Sequence, residues 1–199
     1  MAKLYFRYSA MNSGKSTALL QAAFNYEERG MRAAILKPSV DSKGNDAVVS
    51  RLGLRRKVDY LISPKDTLAA ILKDNQLDCL LVDEAQFLTP DQIDELFWYA
   101  VNQNVPVLAY GLRTDFSMTA FPGASRLLEL AHEIQELKTI CRCGKKAVLN
   151  GRKINGSFVF EGDQVAIDGQ GNVEYESLCG ACYQKFKLTR TTPTSENQD

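Results

Sequence analysis

The stretch from Ser9 to Thr17 has the residue types best suited to chemistry. Gly14-Lys15-Ser16 follows an apolar, β-prone run, Leu4–Tyr8, and precedes a helical pattern. A Gly-Lys-Ser sequence in that position is typical of a phosphate-binding loop, whose backbone N–H groups surround the phosphates. Lys15 would reach the outer phosphates, and the Ser16 hydroxyl would bind Mg²⁺. The predicted nucleotide-binding residues of this loop are Ser9, Ala10, Met11, Asn12, Ser13, Gly14, Lys15, Ser16 and Thr17.

The residues around this loop predict the elements that hold it. Leu19, Ala22, Ala23 and Tyr26 recur at helical spacing after the loop, and Gly30 suits the C-cap of that helix. A β-prone run over residues 32–37 follows, and further apolar runs occur at residues 79–82 and 106–111, separated by a helix predicted over residues 90–103. Strand, loop, helix and strand form a βαβ unit, so the sequence predicts an α/β fold with a parallel sheet.

Two acidic residues follow the apolar run at residues 79–82. Asp83 and Glu84 would lie at the carboxyl end of a buried strand, where open α/β sheets bind their ligands. Asp83 fits the second Mg²⁺ group of a phosphate-loop enzyme. Glu84 would then be free to orient a water molecule or to take a proton from a substrate hydroxyl. The alternative is a pair of solvated acids at a strand end.

Four of the 5 cysteines form two close pairs, Cys141/Cys143 and Cys179/Cys182. Paired thiolates separated by a long segment are typical of a structural zinc site. Disulfides are the alternative, but the first residues do not resemble a signal peptide, so we expect a reducing, cytoplasmic environment. The fifth cysteine, Cys79, lies within an apolar strand and is expected to be an inert core residue.

Length and composition bound the remaining possibilities. At 199 residues the chain can form one sizeable domain and a small second one, and 24 basic residues balance 24 acidic ones. Such a balance argues against retention on nucleic acid or on an anionic membrane by bulk charge. The sequence predicts a nucleotide-binding domain over residues 1–139, a zinc-binding domain over residues 140–188 and a disordered tail over residues 189–199. The second domain has too little apolar mass to fold without a metal.

Five motifs together carry a resemblance to a known family. They are Ser9–Thr17, Asp83–Phe87, Tyr110–Phe116, the Cys141/Cys143 pair and Tyr175–Tyr183. Their order and spacing closely resemble those of the type II (cellular, zinc-containing) thymidine kinases in their bacterial form, from about Leu4 to Phe186. The resemblance implies a P-loop (RecA-like) parallel sheet flanked by helices and a small zinc-ribbon-like domain with a lasso loop.

The resemblance also implies a reaction and residue roles. ATP and thymidine would give ADP and thymidine monophosphate in nucleoside salvage and DNA precursor synthesis, with Glu84 as general base and with Lys15, Ser16 and Asp83 at the phosphates and Mg²⁺. Substrate breadth among thymidine, deoxyuridine and analogues stays open. Cys141, Cys143, Cys179 and Cys182 would hold zinc and anchor a loop over the base. The residues that would form the base pocket are Met11, Phe87, Leu112, Phe116, Phe121, Val165, Ile167 and Tyr175. The alternative for most of these is a place in the hydrophobic core.

The roles of three further residues are less directly indicated by the sequence. Arg113 could stabilise phosphate charge or form a structural ion pair. In the Asp-x-Arg position that the resemblance implies after the second strand, this chain has Asp41-Ser42-Lys43, and the lysine keeps the charge but loses the bidentate geometry of arginine. His132, the one histidine, is expected to be a surface or packing residue.

Two rival functions remain at this point. One is a nucleic-acid-dependent ATPase with a zinc ribbon, because the Asp83–Gln86 sequence resembles a helicase motif. Such a motor would need a second motor domain or a partner arginine, and a basic groove that follows the strand. The other is a zinc-ribbon binding module, which leaves the phosphate loop unexplained. Family precedent adds a homotetramer and feedback inhibition by thymidine triphosphate. No nucleic-acid or membrane partner is expected.

Overall fold

The structure is a computed structural model that describes residues 1–39, 46–73, 76–164 and 172–191. For residues 190 and 191 it describes the backbone only. Val165, Ile167 and Lys43, which were given roles above, therefore lie outside the described residues. The chain divides into two compact units. Unit 1 contains Met1–Ser9, Ser13–Arg113 and Ala120–Leu137, and unit 2 contains Ala10–Asn12, Thr114–Thr119 and Lys138–Asp199.

The helices and strands alternate through most of unit 1, whereas short strands dominate unit 2. The helices are α1 (Lys15–Glu27), α2 (Leu68–Leu72), α3 (Pro90–Gln103), α4 (Pro122–Leu130) and α5 (Gly180–Thr191). The strands are β1 (Leu4–Ser9), β2 (Ala33–Pro38), β3 (Ala47–Val49), β4 (Arg55–Lys57), β5 (Tyr60–Ile62), β6 (Cys79–Val82), β7 (Val107–Leu112), β8 (Glu133–Glu136), β9 (Thr139–Ile140), β10 (Lys146–Ala147), β11 (Leu149–Ile154), β12 (Ser157–Val159) and β13 (Val173–Leu178).

Unit 1 is built on a six-stranded sheet in the order β5-β2-β6-β7-β1-β8, in which every pairing is parallel. The α/β fold with a parallel sheet is thus confirmed. Strands β1 and β6 flank β7, so the loop after Ser9 and the acids after Val82 leave the sheet at the same edge. All residues of β2, β6 and β7 are buried, as expected for strands of a parallel sheet that is covered on both faces.

Helix α1 packs its apolar side on this sheet. Leu19, Leu20 and Ala23 join Ile35 and Leu81 in one hydrophobic cluster. The helix ends at Glu27, and Gly30 follows with a left-handed φ of 73°. The Gly30 N–H donates to the Glu27 carbonyl at 2.9 Å and the Met31 N–H to the Tyr26 carbonyl at 3.1 Å, so the glycine closes the C-terminal end of the helix in a Schellman motif, as predicted. Helix α3 matches its predicted bounds because Thr89 and Gln92 form a capping box around Pro90.

Unit 2 contains a three-stranded antiparallel sheet in the order β12-β11-β13 and the short antiparallel pair β9 and β10. Its buried cluster is small: Cys141, Ala147, Leu178, Cys179 and Tyr183. Helix α5 continues to Thr191, three residues into the segment predicted as a tail. The Thr189 hydroxyl donates to the Lys185 carbonyl at 3.1 Å and so remains within the helical hydrogen-bond pattern. The division of the chain at residue 139 stays a prediction.

Every helix in the described part of the chain is too short or too polar to cross a membrane.

Candidate phosphate and metal sites

The phosphate loop begins where β1 ends and leads directly into α1. Gly14 occupies the N-cap position in a left-handed conformation, with φ 83° and ψ 20°. Glycine adopts this conformation without strain, and it brings no side chain that could cap the helix. The first N–H groups of α1 therefore point at a position suited to an anion, where the helix dipole adds further stabilisation.

Lys15 is buried in unit 1, with 8% of its surface exposed. Its ammonium donates to the Ser9 hydroxyl at 3.3 Å, and the Ser9 and Ser13 hydroxyls are hydrogen-bonded to each other. Burial lowers the pKa of Lys15, while the negative charges of Glu84 and Asp83 oppose that effect. The predicted phosphate-binding lysine and the two predicted acids therefore lie close enough to interact. Ser16 and Thr17 lie in the first turn of α1, half-buried.

Asp83 follows the fully buried strand β6 and is 4% exposed. Burial and the neighbouring Glu84 raise the pKa of Asp83 to about 7, although Lys37, a hydrogen bond from the Glu84 N–H and Lys15 all act in the opposite direction. Its Oδ1 atom is buried and has no hydrogen-bond partner among the described residues. An unpaired carboxylate oxygen in the interior fits a hard cation, so Asp83 suits a Mg²⁺ ion that would supply the missing charge.

Glu84 begins the turn that follows Asp83. It has a left-handed backbone, with φ 48° and ψ 40°, and a short 3₁₀ turn over Ala85–Phe87 comes next. A non-glycine residue in this conformation is strained, and such strain occurs most often at functional sites. The Gln86 side-chain amide donates to Glu84 Oε2 at 2.6 Å.

Two buried residues near these acids were not predicted from sequence. Lys37 ends up 4% exposed near the end of β2 and lowers the pKa of Asp83. Gln86 is 1% exposed and lies within the Asp83–Phe87 motif, in which the sequence analysis assigned roles only to Asp83, Glu84 and Phe87. A lysine in a fully buried strand is the one sequence signal that could have marked Lys37, because lysines are rarely buried without a charge partner.

Some of the predicted pocket residues belong to unit 1 and others to unit 2. In unit 1, Phe87 and Phe121 form an edge-to-face pair with ring centroids 5.4 Å apart, and Leu112 and Phe121 are buried. In unit 2, the Arg152 guanidinium lies 3.6 Å from the centroid of Phe116, which is 1% exposed.

Met11 and Tyr175, the remaining described pocket residues, have backbone contacts in unit 2. The Met11 N–H donates to Asn150 Oδ1 at 2.7 Å, and the Met11 carbonyl accepts from the Ser177 hydroxyl. The Tyr175 carbonyl accepts from the Asn12 side-chain amide at 2.9 Å. Asn150 also donates to the Thr114 carbonyl at 2.8 Å. One buried asparagine thus ties together the segments that follow β1 and β7, a role that sequence reasoning missed.

The four paired cysteines of unit 2 converge. The sulfur atoms of Cys141, Cys143, Cys179 and Cys182 all lie within 4.8 Å of one another, and those of Cys143 and Cys179 are 3.6 Å apart. A tetrahedron with Zn–S bonds of about 2.3 Å requires sulfur atoms about 3.8 Å apart, so this cluster fits zinc. The Cys182 N–H and the neighbouring thiols lower the pKa of Cys179 to about 7. None of the four forms a disulfide.

Three other residues that the sequence singled out make packing contacts or hydrogen bonds, or are buried. Arg113 stacks its guanidinium over the Tyr8 ring at 5.4 Å. His132 accepts the Leu4 N–H at 3.0 Å and stacks on Phe97, as expected of a packing residue. Cys79 is fully buried, and burial raises its pKa to about 12, which agrees with an inert core thiol.

Comparisons with known proteins agree with this arrangement. The family description "Thymidine kinase" matches residues 2–183. A thymidine kinase of Legionella pneumophila is 44% identical over 203 residues, covering 98% of this chain and 96% of the relative. One of Ruegeria pomeroyi is 46% identical over 185 residues (90% and 92%), and one of Shewanella oneidensis is 44% identical over 191 residues (94% and 98%). The chain therefore belongs to the thymidine kinase family, in its bacterial type II branch.

Proposed function

We propose that this protein transfers the terminal phosphoryl group of ATP to the 5′-hydroxyl of thymidine, giving ADP and thymidine monophosphate, and that it also accepts deoxyuridine. The observation that carries this proposal is the cluster of Lys15, Asp83 and Glu84 in unit 1, where burial and mutual charge perturb the pKa values of Lys15 and Asp83. Membership in the thymidine kinase family supports the choice of substrate.

The proposed roles follow from the chemistry of phosphoryl transfer. A nucleoside hydroxyl is a weak nucleophile, so the enzyme must mainly position the reactants and neutralise charge. Lys15 and the N–H groups at the start of α1 would bind the phosphate oxygens. Asp83, together with Ser16, would hold Mg²⁺, which supplies positive charge to the phosphates when bound. Glu84 would accept the proton of the 5′-hydroxyl as that oxygen bonds to phosphorus and ADP leaves.

We propose that the residues predicted for the base pocket contact the nucleoside, among them Val165 and Ile167 in the segment between the cysteine pairs. The four cysteines would bind a structural zinc. Because paired thiols remain reduced only in a reducing compartment, we propose a cytoplasmic location. A homotetramer, feedback inhibition by thymidine triphosphate and a role in nucleoside salvage complete the proposal on family precedent.

The assay that tests this function measures ADP production from ATP and Mg²⁺ with thymidine, with single-stranded DNA, and with neither. We expect turnover with thymidine alone. Stimulation by DNA and not by thymidine would instead identify a nucleic-acid-dependent ATPase.

Glu84→Gln tests the proposed base. The amide keeps the shape of the side chain and can still form hydrogen bonds, but it cannot take a proton. We expect kcat to fall by about 100-fold or more with a much smaller change in the Kd of thymidine. An unchanged kcat with a raised KM would show that Glu84 positions the nucleoside and is not the base.

A further inference from the structure

The Gln86 side chain bridges two parts of unit 1. It is 1% exposed, and both ends of its amide form hydrogen bonds. Its Nε2 donates to Glu84 Oε2 at 2.6 Å, and its Oε1 accepts the Leu112 N–H at 3.0 Å. Leu112 is the last residue of β7, at the edge of the sheet where the acids lie. Gln86 therefore connects the Glu84 carboxylate to the rigid end of a central strand.

The space around Gln86 is built to hold its amide in this position. A Cβ atom added at Gly111 would lie 2.8 Å from Gln86 Oε1 and 3.1 Å from the Gln86 backbone nitrogen. The 2.8 Å contact is shorter than real Cβ atoms make, and the 3.1 Å contact is tighter than most, so a side chain at 111 would push the Gln86 amide out of this position. The glycine is needed here for close approach and not for an unusual backbone angle.

Glu84 needs such support because its own backbone does not fix its carboxylate. Its φ of 48° directs the chain into a tight turn, which the Phe87 N–H closes by donating to the Glu84 carbonyl at 3.0 Å. The glutamate side chain has three rotatable bonds beyond that turn, and a partly exposed side chain would populate several rotamers. The hydrogen bond from Gln86 selects one of them.

We infer that Gln86 is a positioning residue for Glu84. Its Nε2 donates to one carboxylate oxygen, Oε2, and leaves the other oxygen to accept the proton of the nucleoside hydroxyl. This inference rests on the proposed function, in which Glu84 is the general base. It assigns Gln86 no contact with the substrate, so its whole effect on turnover must pass through Glu84.

A double-mutant cycle tests this dependence. Gln86→Met has similar volume and no hydrogen-bonding amide. We expect it to lower kcat by about 10-fold or more, because misplacing a catalytic group slows the chemical step, and to change the KM of ATP and of thymidine by less than about threefold. In a Glu84→Gln background the same substitution should lower kcat by less than about threefold, since the group it positions no longer acts as a base.

Gln86→Glu separates the two hydrogen bonds. Its carboxylate can still accept the Leu112 N–H, but it cannot donate to Glu84 and would repel it. We expect a loss of kcat at least as large as that of Gln86→Met. This variant also keeps the inference testable if Gln86→Met does not fold.

Gln92→Met is the matched control. Gln92 is also buried, at 3% exposure, and its amide bonds the Ser63 and Asp66 carbonyls and the Thr89 N–H. Its replacement should lower the melting temperature and leave kcat unchanged. Equal kcat losses for Gln86→Met in the wild-type and Glu84→Gln backgrounds would overturn the inference alone. A Glu84→Gln protein with wild-type kcat would overturn the proposed base and the inference together.

Discussion

Asp83→Asn is expected to abolish turnover and yet to stabilise the protein when neither nucleotide nor Mg²⁺ is present. Asp83 is 4% exposed, and its buried Oδ1 has no hydrogen-bond partner among the described residues. Burial and the charge of Glu84 raise its pKa to about 7. The ionised side chain is therefore destabilising in the folded state, and asparagine removes the charge while keeping the shape.

The sign and size follow from proton linkage. The pKa of Asp83 is about 7 in the folded chain against an ordinary value of 3.8, so its contribution favours folding fully only below pH 4 and is lost as the pH rises through 7. The gap of about three units corresponds to ~4 kcal/mol at pH 8. The asparagine amide leaves its own buried polar atoms, which offsets ~1–3 kcal/mol of this gain. The net stabilisation expected at pH 8 is thus ~1–3 kcal/mol, and at pH 5 it is close to zero.

Thermal unfolding of the wild type and of Asp83→Asn at pH 5 and pH 8 measures this effect. For a chain of this length the gain corresponds to about 3–10 °C in Tm at pH 8. Both proteins keep the four cysteines, so the titration of the thiols cancels in the comparison. Asp46→Asn, at a side chain that is 58% exposed, is the control and should change Tm little at either pH. A Tm difference between wild type and Asp83→Asn that does not grow from pH 5 to pH 8 would refute the reasoning.

Three further predictions concern the lysine, the metal and the asparagine of unit 2. Lys15→Met should lower kcat by about 10³-fold while the protein stays folded. The control Lys65→Met, at an exposed site, should leave kcat unchanged. Wild-type kcat in the Lys15→Met protein would exclude Lys15 from the phosphate site. Metal analysis of protein purified under reducing conditions should find one zinc per chain, and the absence of zinc would contradict the proposed metal site. Cys179→Ser should weaken thymidine binding, while the circular dichroism signal of the parallel sheet persists. Asn150→Asp should cost ~1–3 kcal/mol in urea unfolding because it cannot donate to the Thr114 carbonyl, whereas Asn102→Asp should be near neutral; equal effects would refute the role of that bond.

The elements that the sequence predicted best are those with strong local signals. Helix α3 has the predicted bounds because Pro90 and the Thr89 cap fix its start locally. The parallel sheet was predictable because a phosphate-loop sequence between two apolar runs leaves few other topologies. The convergence of the cysteine pairs was predictable because two close cysteine pairs separated by a long segment are typical of a tetrahedral zinc site.

The residues that sequence reasoning missed are those whose roles depend on distant partners. Asn150 bonds Met11, 139 residues away, and Thr114, 36 residues away. An asparagine in a short strand carries no local sign of such contacts, because many asparagines in a chain are exposed and solvated. Gln86 bonds Leu112, 26 residues away, and only the closeness of Gly111 in space explains why the amide fits. Pairing across such separations is decided by the tertiary structure and leaves no periodic pattern to detect.

The hydrogen bonds of unit 2 would give a bound zinc ion a second role besides stabilising that unit. Cys179 follows β13 directly, and Ser177 within that strand bonds the Met11 carbonyl, while Asn150 on the neighbouring β11 bonds the Met11 N–H. Met11 and Asn12 are thus hydrogen-bonded to the small sheet whose strand β13 leads directly into Cys179. Since those residues lie in the chain between Ser9 and Ser13, loss of zinc should disturb the phosphate loop as well as the segment between the cysteine pairs. Zinc removal should therefore raise the KM of ATP together with that of thymidine, and a change confined to thymidine would show that the metal supports the segment between the cysteine pairs alone.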